Sequence, residues 1–156
     1  MLSRSVLFVC LGNICRSPLA EVIFKQHIKQ KGIENNFFVE SAGTGDWHVG
    51  NTAHIESVRV ARENGIDLSL HRARQVKIED FVNFDFIVAM DSSNYQNLQI
   101  LCKHGKAKIL LMRDFDDEGA GVDVPDPYFG GPSGFDEVYE ILDRCCTRLL
   151  GRLEEG

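Results

Sequence analysis

SVLFVCLGNICRSP, residues 5–18, establishes the architecture of this chain. Residues 5–11 form a continuous apolar run, which is typical of a β-strand buried on both faces of a sheet. A Gly-Asn pair then provides a turn, and Ser17 and Pro18 predict the N-cap and the first residue of a helix. The stretch therefore predicts a strand, a tight polar loop and a helix in immediate succession.

The alternation of strands and helices continues along the chain. Apolar patterns predict further elements, with strands at 37–41, 84–90 and 107–112 and helices at 18–31, 53–64, 78–81, 92–103 and 135–154. Such alternation implies an α/β fold in which a four-stranded parallel sheet carries helices on both faces. We expect a single domain over residues 1–156, because a chain of this length can bury one core.

The composition narrows the possible classes of function. A net charge of −6 without a dominant basic face argues against a nucleic-acid-binding protein. No apolar stretch reaches the roughly 18 residues that a membrane span needs, so we expect no membrane partner. The five cysteines lack the regular spacing of a disulfide framework, which favours a reducing cytoplasm. No cluster of side chains has metal-ligand spacing, and we expect neither a metal nor an organic cofactor.

The polar loop after the first strand carries the predicted chemistry. In parallel α/β sheets, ligands bind beyond the carboxyl ends of the strands, where Cys10 and this loop lie. Gly12 and Asn13 allow the loop to turn its N–H groups inward, and the helix N-terminus adds partial positive charge. Arg16 supplies a planar fork that matches two phosphate oxygens. Because this field also favours a thiolate, we predict that Cys10 is a nucleophile beneath a bound phosphoryl group.

Cleavage of a phosphate ester also needs an acid that protonates the leaving oxygen. The irregular stretch 113–134 is long for a compact domain, which indicates a functional loop. Several of its acidic residues compete for the role: Asp114, Asp116, Asp117, Glu118, Asp123 and Asp126. The residue pattern alone does not choose among them, although Pro125 and Pro127 would hold Asp126 stiffly.

Five motifs together resemble the low-molecular-weight protein tyrosine phosphatase family. In chain order they are VCLGNICRS at 9–17, SAGTGDWHVG at 41–50, HRARQ at 71–75, FDFIVAMDSSN at 84–94 and DPYFGG at 126–131. The larger tyrosine phosphatases usually have His before the nucleophile, whereas this chain has Val9. The resemblance covers nearly the whole chain. It implies hydrolysis of protein phosphotyrosine and small aryl phosphates through a phosphocysteine intermediate.

The resemblance assigns catalytic roles to particular residues. It implies that Cys10 attacks phosphorus and that Arg16 binds the equatorial oxygens. Asp126 of the DPY motif would protonate the departing phenol and then activate water. The Ser17 hydroxyl would hydrogen-bond the thiolate and make it a better leaving group. The remaining members of the implied phosphate-binding loop are Leu11, Gly12, Asn13, Ile14 and Cys15.

The resemblance also implies residues that support this loop. Ser41 and His71 are expected to hold the loop asparagine, Asn13. In the family, the second loop cysteine forms a reversible disulfide with the nucleophile and protects it from further oxidation. Here that disulfide would join Cys15 to Cys10.

Three aromatic residues are expected to wall a pocket for an aromatic substrate: Trp47, Tyr128 and Phe129. Relatives that act on phosphoarginine tend to carry a small polar residue at the position of Ile14. Because isoleucine leaves less room, Ile14 favours phosphotyrosine. The neighbours of the tryptophan, Asp46 and His48, are expected to contribute to specificity.

Alternative functions remain open besides phosphotyrosine hydrolysis. A phosphoarginine phosphatase would share the fold. An arsenate reductase would need a cysteine pair after the third strand, where this chain has only Cys102. A non-catalytic phosphoanion-binding module would tolerate loss of Cys10 or Asp126, yet both are present. We expect phosphotyrosine-containing proteins as partners, and a chain that is monomeric or weakly self-associating.

Overall fold

A parallel β-sheet forms the centre of the protein. The structure is a computed structural model that describes residues 3–116, 122–128 and 130–155. In these residues the sheet has four strands, β1 (Arg4–Cys10), β2 (Phe37–Gly43), β3 (Phe86–Ala89) and β4 (Lys108–Leu111). Their order is β2-β1-β3-β4, and every neighbouring pair is parallel. The predicted α/β class and the four-stranded parallel sheet are confirmed.

Helices connect the strands and cover the sheet. Within the described ranges there are five α-helices, α1 (Arg16–Gln30), α2 (Ile55–Glu63), α3 (Asp80–Asn83), α4 (Ser92–Leu101) and α5 (Pro132–Glu155). Short 3-10 turns at Glu34–Asn36 and Met112–Phe115 complete the connections. Among the residues that the structure describes, no helix is both long and apolar enough to span a bilayer.

The central strand β1 is buried on both faces, as its continuous apolar run predicts. Val6 and Phe8 pack in the core layer formed with α1, α2 and α5. Leu7 and Val9 pack on the opposite face, in the layer that includes residues of α3 and α4. Successive side chains of a strand alternate between faces, so one apolar run contributes to both layers of the core. The predicted placement of helices on both faces of the sheet is confirmed.

The N-terminus of α1 differs from the prediction. The helix begins at Arg16 with Cys15 as its N-cap residue, and no side chain caps it. The prediction that Ser17 is the N-cap and Pro18 the first helical residue is therefore wrong. Pro18 still lies in the first turn, where backbone N–H groups have no acceptor within the helix, so the N–H that proline lacks costs no helical hydrogen bond. The Ser17 hydroxyl does not cap the helix. It lies 3.0 Å from the sulfur of Cys10 and contacts that sulfur instead.

The sheet positions the site by bringing several loops to one edge. The strand β1 ends at Cys10, whose carbonyl accepts the N–H of Thr44 from the loop after β2 at 2.9 Å. After β3, the carbonyl of Met90 accepts the N–H of Val124 at 2.9 Å, which attaches the acidic loop. Since the carboxyl ends of parallel strands meet at one edge, residues far apart in the sequence converge beside Cys10.

Candidate active site

The loop between β1 and α1 forms a cradle because its carbonyl groups are bound by other segments. The carbonyls of Cys10 and Leu11 each accept a backbone N–H at 2.9 Å, and that of Ile14 accepts one at 2.8 Å. At the turn, Asn13 has a φ of 57°, in the left-handed region that asparagine tolerates better than most residues. With these carbonyls engaged by other segments, the N–H of Asn13 points to the Cys10 sulfur at 3.3 Å, and such a curled loop favours an anion.

Asn13 holds the cradle through its side chain and its backbone. It is fully buried, and its Nδ2 donates to the hydroxyls of Ser17 at 2.8 Å and Ser41 at 3.0 Å. Its Oδ1 accepts the backbone N–H of Arg74 at 3.0 Å. Its carbonyl accepts a hydrogen bond from Nε2 of His71 at 2.8 Å, which requires the proton of that ring on Nε2. The structure thus brings Ser41 and His71 to the loop asparagine.

The sulfur of Cys10 lies at the floor of the cradle. It is 3.0 Å from the Ser17 hydroxyl and accepts the backbone N–H of Asn13 at 3.3 Å. The single proton of the Ser17 hydroxyl has two acceptors within reach, the Cys10 sulfur at 3.0 Å and the carbonyl of Ala42 at 3.4 Å, and a charged sulfur attracts it more strongly. Both donors interact more strongly with a negatively charged sulfur than with a neutral one.

Arg16 supplies the positive charge of the site. It is buried, and its Nη1 donates to Oδ2 of Asp91 at 2.8 Å and to the carbonyl of Val124 at 2.9 Å. Its Nη2 lies 3.6 Å from Oδ2 of Asp126. Burial acts to lower the pKa of Arg16, but the negative charges of Cys10, Asp91 and Asp126 keep that pKa above its usual value. The guanidinium is therefore held charged and in one orientation.

Asp126 stands opposite the nucleophile, at the mouth of the pocket. Its side chain is 43% exposed, and its Oδ1 accepts the backbone N–H of Tyr128 at 3.1 Å. This short-range bond is typical of an aspartate that shapes its own turn. It leaves Oδ2 directed to Arg16, where a carboxylate can exchange protons with a ligand in the pocket.

The other acids of the 113–134 loop have different environments. Asp116 is buried between two arginines at 3.1 and 2.9 Å, and Asp123 accepts a backbone N–H of α4 at 2.8 Å. Asp114 is exposed in a 3-10 turn. Two further candidates lie outside the described residues: Asp117 and Glu118. Among the described acids of this loop, only Asp126 lines the pocket.

These groups enclose a cavity of about 150 Å³. It is lined by loop residues and by residues of two other segments: Cys10, Leu11, Gly12, Ile14, Cys15, Arg16, Trp47, His48, Asp126 and Tyr128. His48 covers the backbone of Gly12, where an added Cβ would lie 2.9 Å from the imidazole. Asp46 does not line this cavity, and Phe129 lies outside the described residues. The result is a narrow pocket with the sulfur at its floor and rings at its rim.

A family model described as low molecular weight phosphotyrosine protein phosphatase matches residues 5–156. The chain belongs to this family. The member from Schizosaccharomyces pombe is 46% identical over 141 residues, which are 88% of this chain and 90% of that protein. A tyrosine phosphatase structure from Entamoeba histolytica, with Hepes in its active site, has a TM-score of 0.93 and 42% identity and covers 99% of both chains. The Drosophila arginine phosphatase has a TM-score of 0.87 and 33% identity over 95% of this chain and 96% of that one.

The predicted family is thus confirmed, and this low molecular weight phosphatase is an enzyme that hydrolyses phosphotyrosine in proteins.

Its site also contains residues that sequence reasoning missed. Asp91 caps α4 by accepting the N–H of Asn94 at 2.7 Å on one oxygen, and it binds Arg16 with the other. Arg74 anchors the segment that holds Asn13, because its guanidinium binds both oxygens of Asp80 at 3.0 and 3.1 Å. The place of Asp91 directly after a buried strand was the signal that could have identified it.

Cys15 differs sharply from Cys10 although both belong to the phosphatase loop. Burial, followed by the negative charges of Cys10 and Asp126, raises the pKa of Cys15 to about 12. Cys15 is therefore almost entirely in its neutral thiol form at neutral pH. Since the thiolate is the nucleophilic form, Cys15 is a poor nucleophile as long as Cys10 carries its negative charge.

Alkylation should distinguish the two loop cysteines. At pH 7, iodoacetamide is expected to modify Cys10 and to leave Cys15 unmodified until Cys10 has reacted, because of the raised pKa of Cys15. Peptide mapping by mass spectrometry at intervals measures both rates. Iodoacetamide should inactivate Cys15→Ala at the same rate as wild type. In Cys10→Ser, cysteine labelling should show no fast phase. Labelling of Cys15 at a rate like that of Cys10 would contradict the assignment.

The stability of this phosphatase should depend on pH through His71. Burial lowers the pKa of His71, and its bond to the Asn13 carbonyl offsets this only in part. The unfolded chain therefore takes up this proton at a higher pH than the folded chain. The contribution of His71 to the free energy of unfolding is present above about pH 6.5 and is lost as pH falls through the lower folded pKa.

Urea unfolding of wild type and His71→Gln at pH 7, 6 and 5 tests this contribution. The variant keeps a side-chain N–H donor but cannot titrate, so the decrease in its unfolding free energy on acidification should be smaller. His104→Gln, at an exposed histidine, is the matched control and should follow the wild-type curve. An equal decrease in wild type and His71→Gln would show that His71 does not cause the acid sensitivity.

Proposed function

We propose that this enzyme hydrolyses phosphotyrosine by a phosphocysteine mechanism in which Cys10 is the nucleophile, Arg16 the phosphate ligand and Asp126 the general acid. The observation that carries the proposal is the convergence of these three side chains on one pocket of about 150 Å³. They come from the end of β1, the start of α1 and a distant loop. A convergence of nucleophile, cation and acid supports phosphoryl transfer.

In the first step, the Cys10 thiolate attacks phosphorus while the bond to the phenolic oxygen breaks. The N–H groups of the loop and the Arg16 guanidinium bind the oxygens that carry the developing charge. Asp126 donates its proton to the departing phenol, which is a far better leaving group than a phenoxide. The closeness of Asp126 to Arg16, at 3.6 Å, supports this role, because that carboxyl reaches the space a phosphoryl group would occupy.

In the second step, water attacks the phosphocysteine and the sulfur leaves. The Asp126 carboxylate, left unprotonated by the first step, takes a proton from the water. The Ser17 hydroxyl, 3.0 Å from the sulfur, stabilises the departing thiolate by a hydrogen bond. Inorganic phosphate then leaves, and the enzyme returns to its starting state.

The depth and lining of the pocket favour an aryl phosphate. Cys10 is only 3% exposed, so a phosphate must reach the floor on a long side chain. Trp47 and Tyr128 stand at the rim and are suited to the faces of a phenyl ring. Phosphoarginine is the second candidate substrate, because the Drosophila relative is named an arginine phosphatase. The bulk of Ile14 in the pocket lining supports phosphotyrosine over it.

The proposal also covers the setting of the enzyme. We propose that residues 1–156 act as one phosphatase domain on phosphotyrosine-containing proteins, as a monomer or weakly associating chain. A reducing cytoplasm suits a mechanism that needs a free thiolate, and all five cysteines are free in the structure. Protection of the nucleophile by a Cys10–Cys15 disulfide remains part of the proposal, supported by their shared loop. A peroxide would oxidise Cys10 to a sulfenic acid, and Cys15 would then displace its hydroxyl as water to form the S–S bond.

Substitution of the two reacting residues tests the mechanism. With phosphotyrosine as substrate, Cys10→Ser should abolish turnover, because a serine hydroxyl is a poor nucleophile here. Asp126→Asn should lower kcat by about two to four orders of magnitude, since it cannot donate the proton. Asp114→Asn, an exposed acid of the same loop region, is the matched control and should keep wild-type kcat. Full activity of Asp126→Asn would remove Asp126 from the mechanism.

Parallel assays on matched phosphotyrosine, phosphoserine and phosphoarginine substrates test the specificity. We expect kcat/KM to be highest for phosphotyrosine, because only its ring fills the space between the floor and the aromatic rim. Phosphoserine is too short for its phosphate to reach Cys10 easily. Fast phosphoarginine turnover would contradict the interpretation of Ile14. Ligand binding without turnover of any substrate would favour the phosphoanion-binding module.

A further inference from the structure

A second depression lies beside the catalytic pocket, between the loop after β2 and the helix α4. It has a volume of about 240 Å³. We call it the α4 groove and define it by the side chains that matter for its chemistry, which are Leu11, Thr44, Trp47, Asn97, Ile100 and Leu101. No charged residue of the described chain lines it.

The α4 groove is continuous with the catalytic pocket. Leu11 and Trp47 line both, so these two side chains form the shared wall. The indole of Trp47 lies against the backbone of Gly45, where a side chain would overlap the ring. Glycine at position 45 therefore leaves room for the indole of Trp47 to occupy this position in the wall. A polypeptide with a phosphotyrosine in the pocket can continue across this wall into the groove.

The groove presents an unusual amount of apolar surface to solvent. Ile100 is 70% exposed, Trp47 71%, Leu11 43% and Leu101 37%. The helix α4 is held to the sheet by Leu98, which is fully buried, and Ile100 does not belong to that core. A group of exposed apolar side chains next to a binding pocket is the expected property of a surface that binds a partner.

One polar group in the α4 groove suits a peptide backbone. The side chain of Asn97 is exposed, and no residue in the described part of the chain forms a hydrogen bond with it. A carboxamide can donate to a carbonyl and accept from an N–H at the same time, which matches the two groups of a peptide unit. An apolar floor with one such amide favours an apolar side chain on a polypeptide over a charged ligand.

We propose that the α4 groove binds an apolar residue that flanks the phosphotyrosine in protein substrates and thereby selects among those substrates. This inference rests on the proposed function, because it requires the phosphotyrosine to occupy the catalytic pocket. Burial of one such side chain against Ile100 and Trp47 should give peptides with an apolar flanking residue about tenfold higher affinity than peptides with a polar one. This is the low end of the range for a hydrophobic pocket, because the groove is open to solvent.

Equilibrium binding to Cys10→Ser, which cannot turn the ligand over, provides the test. Phosphotyrosine peptides carry either Leu or Asn at one flanking position at a time, with the rest of the sequence constant. The chain has a single tryptophan, and it lies in the shared wall, so Trp47 fluorescence reports binding directly. We expect a Kd about tenfold lower for Leu than for Asn at one flanking position or at adjacent ones.

A matched pair of substitutions on α4 assigns this preference to the groove. Ile100→Lys, in the Cys10→Ser background, should lower the ratio of the Kd for the Asn peptide to the Kd for the Leu peptide from about ten to near one. Gln99→Lys adds the same charge at the neighbouring exposed position outside the groove lining and should keep the ratio. Both residues are largely exposed, so neither change should unfold the chain. In the active enzyme, kcat/KM for each peptide is divided by that for p-nitrophenyl phosphate, which has no flanking residues.

The outcomes separate this inference from the proposed function. Equal Kd values for Leu and Asn peptides, or a ratio that Ile100→Lys does not change, would overturn the groove assignment while phosphotyrosine turnover stands. A wild type that hydrolyses neither peptide nor p-nitrophenyl phosphate would overturn the proposed mechanism, and the Kd ratio would still test the groove. Dimerisation in sedimentation experiments that Ile100→Lys abolishes, without a peptide preference, would assign the face to a second copy of the chain and overturn the proposal.

Discussion

The left-handed backbone of Asn13 is the constraint on which the rest of the site depends. This one residue turns the chain so that neighbouring carbonyls are engaged outside the loop and the N–H groups remain for an anion. The conformation is costly for a residue with a side chain, and it persists because Ser17, Ser41, His71 and the Arg74 backbone all bind Asn13. Residues from three segments of the chain, α1, β2 and the stretch 71–74, therefore determine the shape of one turn.

The charge balance of the pocket follows from this turn. The loop leads directly into α1, so the buried Arg16 faces the sulfur of Cys10 from the first turn of the helix. Asp91 holds one nitrogen of its guanidinium and Asp126 approaches the other. A protein with a net charge of −6 can bind an anion here because the binding field is local, with fixed N–H groups and one paired cation. Overall charge says little about such a site.

Sequence reasoning succeeded where a local pattern has one physical meaning. The continuous apolar run of β1 must be buried on both faces, and alternating elements of this length must form a parallel sheet. It failed at the start of α1, where Ser17 fits the local pattern of an N-cap but binds Cys10 and Asn13 instead. It also missed Asp91, because an aspartate before a helix is fully explained by capping, and its second oxygen meets Arg16 only in three dimensions.

The sequence by itself determined the parallel α/β fold, the family, and the loop with its cysteine and arginine, since all of these depend on residues close together in the chain. Only the tertiary structure decided that Asp126, the acid implied by the family motif, lies beside Arg16 in the pocket, why Cys15 stays protonated beside Cys10, and that α4 presents Ile100 next to the catalytic wall. Those properties depend on distance and burial between segments separated by tens of residues. The packing of the sheet and its helices brings these segments together, and no local pattern encodes their separation.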